Sequence, residues 1–305
     1  MPSVKSKIFN MLMRNRHLFK GKFKKEQFDV NTSIEDFRRQ CEEGAAKYSK
    51  IPDAVNIKEE IINDIKCEWI IPDEANKEKV IMYVHGGGYV SGSCNDHRGF
   101  VSKFAKSCGV INFIYEYRLA PENPFPAALE DSIKVYQALL SMGRRPENII
   151  IAGESAGGGL VLAILLALKN NKIALPAAAV AISPWTDLTC SGASYSTKNK
   201  MSVAPLNSWF VFAKHYVGNN DANNPLISPL FGDLSGLPPI FINSGNDDEL
   251  FDDGEKFYLK AKSAGVDVTF RAGKGMIHCY PLLAPMFKEA SEAMEEICAF
   301  IKKHI

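Results

Sequence analysis

Short apolar runs alternate along this chain with segments in which apolar residues recur every three or four positions. The runs predict strands, which cover 54–61, 67–71, 79–84, 110–115, 148–152, 177–183, 239–243 and 266–271. The periodic segments predict helices, which cover 33–49, 123–142, 155–169, 253–264 and 286–303. Strands that alternate with helices are typical of βαβ units. The pattern therefore predicts an α/β fold, in which helices flank a mostly parallel central sheet.

One stretch, residues 185–237, interrupts this alternation. It is too long for a simple connection between two elements, and it contains its own predicted helix at 206–216. We interpret it as a cap inserted over the carboxyl edge of the sheet, where α/β proteins bind ligands. The aromatic residues Trp209, Phe210 and Phe212 of this helix either line a pocket beneath the cap or only pack the cap onto the sheet domain.

The first 28 residues are basic, with apolar side chains interspersed. The segment has three possible roles: an amphipathic helix that covers a pocket, a helix that touches an anionic membrane, or an ordinary solvated helix packed on the protein. The pattern favours the helix that covers a pocket. Because the segment lacks the apolar core of a signal peptide, we expect none. The chain thus divides into an N-terminal helical cap segment, residues 1–50, and a larger domain, residues 51–305, which carries the insertion.

Composition and charge exclude several classes of protein. The chain has 305 residues and a net charge of +1, which gives no electrostatic case for binding nucleic acid. No apolar run reaches the roughly 18 residues that a membrane span needs. The seven cysteines are dispersed and form no C-x-x-C pair. We therefore expect a reduced, cytoplasmic protein without a disulfide framework or a zinc site.

The motif Gly153-Glu154-Ser155-Ala156-Gly157 lies between the strand at 148–152 and the helix at 155–169. By itself, G-x-S-x-G also fits an ordinary glycine-rich turn. Between a strand and a helix, however, it is typical of a nucleophile elbow, in which a strained turn exposes a serine hydroxyl. The flanking glycines leave room where neighbouring backbone comes too close for a Cβ atom.

A second glycine motif, His85-Gly86-Gly87-Gly88, follows the strand at 79–84. Loops of this type donate backbone N–H groups to the negative oxygen that forms when a nucleophile attacks an ester carbonyl. The alternative, a phosphate-binding loop, requires a G-x-G-x-x-G pattern or a P-loop lysine, and the motif has neither. The two motifs together indicate acyl-transfer chemistry.

A serine nucleophile needs a base and an orienting acid, which follow it along the chain in this type of fold. Of the three histidines after Ser155, His215 lies in the predicted cap helix, and we expect His304 to lie in a frayed chain end. His278 lies in a glycine-rich loop between the last strand and the last helix, which makes it the candidate base. Five acidic residues crowd into 247–253 after the strand at 239–243, and spacing leaves both Asp247 and Asp248 open as the acid.

Several motifs together resemble the hormone-sensitive-lipase-like family (family IV) of carboxylesterases, which have the α/β-hydrolase fold. They are HGGGYVSGS (85–93), YRLAPENPFPAALED (117–131), GESAGG (153–158), SPWTDL (183–188) and GMIH (275–278). The resemblance runs from about residue 55 to the end of the chain. Glu154 stands where the subfamilies usually carry Asp or Thr, so the subfamily stays open. Glu249 follows Asp248 where one family pattern has Pro, which leaves Asp247 as the alternative acid.

The resemblance implies a catalytic triad of Ser155, His278 and Asp248, since alignment of the acid segment favours Asp248 over Asp247. It also implies roles for the glycine-rich loop and the elbow. The N–H groups of Gly87, Gly88 and Ala156 are the oxyanion donors, and His85 and Gly86 support the loop.

The implied activity is a serine carboxylesterase that acts on short-chain acyl esters, with a small-molecule ester as its partner and with no cofactor or metal. A lactone or aryl-amide substrate is an alternative within the family. A non-enzymatic, receptor-like role is a further alternative, which the presence of all three catalytic residue types disfavours. A homodimer through the last strand and helix, which is common in the family, stays open.

Overall fold

An eight-stranded sheet runs through the part of the chain that the computed structural model describes, residues 2–19, 21, 23–48 and 50–305. Its strands are β1 Val55–Ile62, β2 Ile65–Pro72, β3 Asn76–Val84, β4 Val110–Tyr115, β5 Ile149–Glu154, β6 Ala178–Ile182, β7 Ile240–Gly245 and β8 Val268–Gly273. They lie in the order β1-β2-β4-β3-β5-β6-β7-β8. The β1–β2 and β2–β4 pairs are antiparallel and the others are parallel. The predicted mostly parallel sheet is therefore confirmed.

Ten α-helices surround the sheet within the same described residues. They are α1 Val4–Arg14, α2 Arg16–Phe19, α3 Ile34–Tyr48, α4 Cys94–Cys108, α5 Ala127–Ser141, α6 Ala156–Asn170, α7 Ser194–Thr197, α8 Ser208–Val217, α9 Phe251–Ser263 and α10 Lys288–His304. Helices α5, α6 and α9 pack on one face of the sheet, together with Val80 and Met82 of β3. Helices α4 and α10 pack on the other face, with Ile81 and Tyr83. This alternation is the period of two that a β-strand imposes on its side chains.

Two predicted boundaries need correction. The helix predicted at 123–142 begins only at Ala127. Proline lacks an N–H group and disfavours the helical conformation of the residue before it, so the proline-rich segment before Ala127 forms turns. His304 does not lie in a frayed end. It is the last residue of α10, and its ring centroid lies 4.5 Å from that of Phe300.

The N-terminal segment packs against the loop that follows β8. The Asn10 side chain donates to the carbonyl of Gly275 at 2.8 Å, and the rings of Phe9 and Phe287 lie 5.5 Å apart. Of the predicted N-terminal elements, Met1, Lys20, Lys22 and Ser49 lie outside the described residues. None of the helices in the described ranges is long and apolar enough to cross a membrane.

The register of the parallel strands brings the segments that follow them to one edge of the sheet. Glu154 at the end of β5 pairs with Ile182 at the end of β6, and Gly245 of β7 pairs with Gly273 of β8. Ile182 in turn pairs with Asn243, so β7 and β8 extend two residues beyond the ends of β5 and β6. The loops after β5, β7 and β8 carry the serine, the acidic cluster and His278, so the sheet itself assembles the candidate site.

Candidate active site

Ser155 lies in a strained turn between β5 and α6. Its backbone has φ 58° and ψ −124°, a conformation that costs a non-glycine residue about 1–3 kcal/mol. Two hydrogen bonds hold the turn: Ser155 N donates to the carbonyl of Ile182 at 2.8 Å, and Trp185 N donates to the Ser155 carbonyl at 3.0 Å. A Cβ atom at Gly157 would lie 2.2 Å from the carbonyl oxygen of Val84. The second glycine of the motif is therefore required by packing.

His278 and Asp248 meet above the ends of β7 and β8. Nδ1 of His278 lies 2.8 Å from Oδ2 of Asp248, and the other carboxylate oxygen of Asp248 accepts from the N–H of Leu250 at 3.1 Å. Asp248 is buried. Burial lowers the pKa of His278, but the Asp248 carboxylate and Cys279 together outweigh it, and they hold that pKa well above its usual value. The pair is thus built as an imidazole oriented by a carboxylate.

The structure distinguishes the two aspartates that spacing left open. The carboxylate of Asp247 turns away from His278 and binds Arg14 of α1 at 2.6 Å. Asp248, as the family resemblance implies, is the one that reaches His278.

The glycine-rich loop after β3 exposes backbone N–H groups beside the serine. Gly87 and Gly88 have φ 108° and 65°, which side chains rarely adopt. Within the described residues, their N–H groups donate no hydrogen bond. The N–H of Ala156 belongs to the first turn of α6, where helical residues lack an intrahelical acceptor. None of these three N–H groups is therefore committed to a hydrogen bond among the described residues.

A chain of buried charges holds this loop, and only Glu154 of that chain was singled out in the sequence. Oε1 of Glu154 accepts from the N–H of Gly86 at 2.6 Å and lies 2.9 Å from Nε2 of His97. The other ring nitrogen of His97 bonds the Asp96 carboxylate. Burial lowers the pKa of His97, but Asp96 and then Glu154 raise it to about 10. His97 is thus a cation between two carboxylates at neutral pH. The capping box formed by Ser93 and Asp96 is the sequence signal that places it.

His85 supports the loop from below. Its ring stacks on Tyr117 with a centroid distance of 4.1 Å, and its Nδ1 lies 2.8 Å from the carbonyl oxygen of Gly86. Burial, followed by the nearby charge of His97, lowers the pKa of His85 to about 4. A neutral His85 donates Nδ1–H to this carbonyl, and the hydroxyl of Tyr117 in turn donates to the His85 carbonyl at 2.9 Å. His85 therefore braces the loop.

The three aromatic residues of the inserted helix, which is α8, take different positions. The ring of Trp209 lies 5.4 Å from that of His278, and its indole N–H donates to Glu249 at 2.8 Å. Phe212 lies where a side chain on Gly88 would be, only 2.4 Å from the Cβ position. Phe210 is 50% exposed, and its ring centroid lies 6.1 Å from that of Tyr195 in α7. Consecutive residues of a helix project in different directions, and the apolar composition did not show which of these side chains faces inward.

The described residues contain no group of three or more His, Cys, Asp or Glu side chains arranged to hold a metal ion. His215, the histidine of α8, is half-buried, and within the described residues no hydrogen bond links it to the residues around Ser155.

Comparison with known proteins agrees with the fold. A family model described as an α/β hydrolase fold matches residues 81–282. An acetyl-hydrolase of Streptomyces hygroscopicus is 39% identical over 240 residues, which are 77% of this chain and 79% of that protein. The crystal structure of an esterase from the bacterial hormone-sensitive lipase family is 34% identical, with a TM-score of 0.90, and the match covers 100% of this chain and 99% of that one. The esterase EstE5, soaked with p-nitrophenyl butyrate, is 33% identical with a TM-score of 0.90, over 99% of both chains.

Proposed function

Because the chain belongs to the hormone-sensitive-lipase-like esterases of the α/β-hydrolase fold and is a carboxylic ester hydrolase, we propose that it hydrolyses short-chain acyl esters through Ser155, His278 and Asp248. The observation that carries the proposal is the 2.8 Å contact between His278 and Asp248, at the sheet edge where the strained Ser155 lies. A buried carboxylate that fixes one imidazole nitrogen leaves the other free to accept a proton.

In the proposed reaction, the Ser155 oxygen attacks the ester carbonyl carbon while Nε2 of His278 takes the hydroxyl proton. Nδ1–H of His278 donates to Asp248, which fixes the tautomer and stabilises the imidazolium. Within the described residues, no hydrogen bond joins the Ser155 hydroxyl to His278. Such bonds commonly tighten only when substrate binds. His278 then protonates the leaving alcohol, and it activates the water that hydrolyses the acyl-enzyme.

The negative oxygen of each tetrahedral intermediate is assigned to the N–H groups of Gly87, Gly88 and Ala156. These donors are fixed before substrate arrives, so they stabilise the developing charge without reorganisation. The N-terminus of α6 adds its positive dipole end at the same point.

Two observations support a short acyl group. Phe212 presses against the backbone of Gly88, at 2.4 Å from its Cβ position, and Trp209 lies beside His278. We infer that these two side chains limit the room for the acyl group. The similar proteins named above include an acetyl-hydrolase and an esterase soaked with a butyrate ester. Acetyl and butyryl are short acyl groups, and we propose the same class of acyl group for this chain.

The aromatic contacts also support a cap made from both predicted pieces, residues 1–50 and the insertion. Phe28 N donates to the carbonyl of Leu206 at 2.8 Å. The ring centroids of Phe28 and Phe37 lie 5.7 and 5.4 Å from that of Phe212. The N-terminal segment therefore packs directly on the helix that approaches the oxyanion loop.

The test is hydrolysis of p-nitrophenyl esters from acetate to palmitate by the wild type, Ser155→Ala and the matched control Ser141→Ala, whose serine is exposed on α5. Turnover should peak at acetate or butyrate and fall by about 10⁴ or more in Ser155→Ala only. Labelling of Ser155 by a fluorophosphonate should separate an enzyme from a receptor-like protein. Turnover of lactones or aryl amides without ester turnover would instead select the alternative substrate class. Undiminished ester hydrolysis by Ser155→Ala would refute the mechanism.

A further inference from the structure

Helix α1 carries an apolar stripe on its outer face. Val4, Ile8, Met11 and Leu12 are 72%, 50%, 55% and 42% exposed. Their spacing of four, three and one residues places all four on one side of a helix. An isolated exposed apolar residue is ordinary, whereas a contiguous set indicates an interaction surface.

The opposite side of α1 packs on the protein through the polar residues Ser6 and Asn10 and through Phe9, whose ring lies 5.5 Å from that of Phe287. These contacts fix the orientation of the helix. Ser6 and Asn10 are buried, and Asn10 donates to the carbonyl of Gly275 at 2.8 Å. Ser3, at the N-cap, bonds the carboxylate of Glu289 through its hydroxyl at 2.9 Å. Turning the stripe inward would break these buried hydrogen bonds. The apolar side of α1 therefore faces outward because polar contacts hold it there.

The exposed apolar surface continues beyond α1. Of the 15 large apolar side chains that are exposed in the described part of the chain, seven lie between Val4 and Phe23. Phe19 and Phe23 are 73% and 96% exposed. Nearly half of such residues are thus concentrated in a short segment, which distinguishes it from the rest of the surface.

Charge identifies the kind of partner. Residues 1–25 contain eight Lys and Arg residues and no Asp or Glu, although the whole chain carries a net charge of only +1. Lys5 and Lys7 are exposed on either side of the stripe. Two copies of this segment would repel each other, whereas an anionic surface would attract it. An apolar stripe flanked by lysines matches the two layers of a lipid interface, where acyl chains lie beneath charged headgroups.

We propose that residues 4–19, 21 and 23, with α1 as their core, form a docking surface for an anionic phospholipid bilayer. The apolar stripe enters the boundary between headgroups and acyl chains, and the lysines pair with lipid phosphates. This function is separate from ester hydrolysis, because the four stripe residues are exposed on α1 and belong neither to the serine turn nor to the glycine-rich loop.

The primary test is co-sedimentation of the full chain with vesicles of phosphatidylglycerol and phosphatidylcholine, or of phosphatidylcholine alone. The wild type should bind the anionic vesicles, bind the neutral ones at least tenfold more weakly, and lose binding as salt rises. Ile8→Ser/Leu12→Ser should reduce the partition coefficient between membrane and water by at least about tenfold. The free energy of burying one leucine-sized side chain already corresponds to a factor of about ten in that coefficient. The matched control is Leu259→Ser, which is 54% exposed on α9 and should bind like the wild type.

A second variant tests the charges with the stripe intact. Lys5→Glu/Lys7→Glu should weaken binding to anionic vesicles, whereas Lys256→Glu, an exposed lysine of α9, should have a smaller effect. Hydrolysis of soluble p-nitrophenyl acetate should be unchanged in every variant, which shows that each is folded and separates this proposal from the esterase mechanism. Three results would overturn the proposal. They are failure of the wild type to bind anionic vesicles, binding of Ile8→Ser/Leu12→Ser to them as tight as that of the wild type, and a wild-type dimer that Ile8→Ser/Leu12→Ser converts to a monomer. The last would make the stripe an interface between copies.

Discussion

The carboxylate of Asp248 contacts Nδ1 of His278 at 2.8 Å, although its neighbour Asp247 lies only one residue away and binds Arg14 instead. The two aspartates therefore have different predicted effects. Asp248→Asn should lower kcat by a factor of up to about 10⁴, because the amide favours the wrong imidazole tautomer. Asp247→Asn should leave kcat within about threefold, since it loses only a partly exposed ion pair. Steady-state kinetics of both variants on one ester is the measurement, and equal losses would contradict the assignment.

The pH dependence of kcat/KM follows from the environment of His278. Its pKa is raised well above the ordinary value of 6.5, and only the neutral imidazole accepts the serine proton. Activity should therefore fall as the pH is lowered, with the acid limb above pH 6.5. Asp248→Asn removes the charge that raises the pKa, so its limb should move to lower pH. Profiles from about pH 5 to about pH 10 on a substrate that does not ionise test this. A limb that does not move in Asp248→Asn would show that the Asp248 charge does not raise this pKa.

Glu154 and His97 should act on turnover by positioning the oxyanion loop. Glu154→Gln weakens the charge-assisted bond to Gly86 N, which is 2.6 Å long in the native protein. Loss of one oxyanion donor costs about 10²–10³ in kcat, and we expect a misplaced loop to cost about 10–100-fold with KM nearly unchanged. A transition-state analogue should lose affinity in parallel, while a ground-state analogue should not. A change in KM alone would indicate a role in substrate binding instead.

His97 should also make stability depend on pH. Its pKa is about 10 in the folded protein and about 6.5 in an unfolded chain. A group whose pKa is raised on folding stabilises the folded protein, and this contribution is fully present below pH 6.5. It disappears as the pH rises through about 10. The free energy of unfolding should therefore be lower in His97→Gln than in the wild type by about 3 kcal/mol at pH 6.5, since two carboxylates lose their partner. Urea unfolding at several pH values should show this gap narrowing toward pH 10. A gap independent of pH would contradict the charged state of His97.

The oxyanion loop offers a test with a matched pair of glycines. Gly88 and Gly109 have nearly the same φ, 65° and 68°, but a Cβ atom on Gly88 would lie 2.4 Å from Phe212, whereas Gly109 has nothing within 4 Å. Both alanine variants should lose about 1 kcal/mol of stability from backbone strain. Only Gly88→Ala should also lose activity, by about 10²-fold. Adding Phe212→Ala to Gly88→Ala should restore part of the lost activity. Comparable activities of the two alanine variants would show that the loop tolerates a side chain.

The sequence alone determined the parts of this protein that depend on local backbone requirements. The G-x-S-x-G turn, the glycine-rich loop and the loop of His278 each need particular residue types where a strand ends. Hydrophobic periodicity placed the strands that bring those loops to one edge of the sheet. These features were predictable because each is encoded in a few adjacent residues.

Tertiary structure decided what depends on the direction of a side chain or on contact between distant segments. Asp247 and Asp248 are the same residue type and lie one position apart, so the sequence pattern does not distinguish them. Only the turn after β7 directs one to Arg14 and the other to His278. In the same way, Phe210 faces solvent while Phe212 faces Gly88. The bond from Gly86 to Glu154 spans 68 residues. Such contacts form only when the packed sheet and helices bring the two segments together, because no local pattern specifies which distant group will be there.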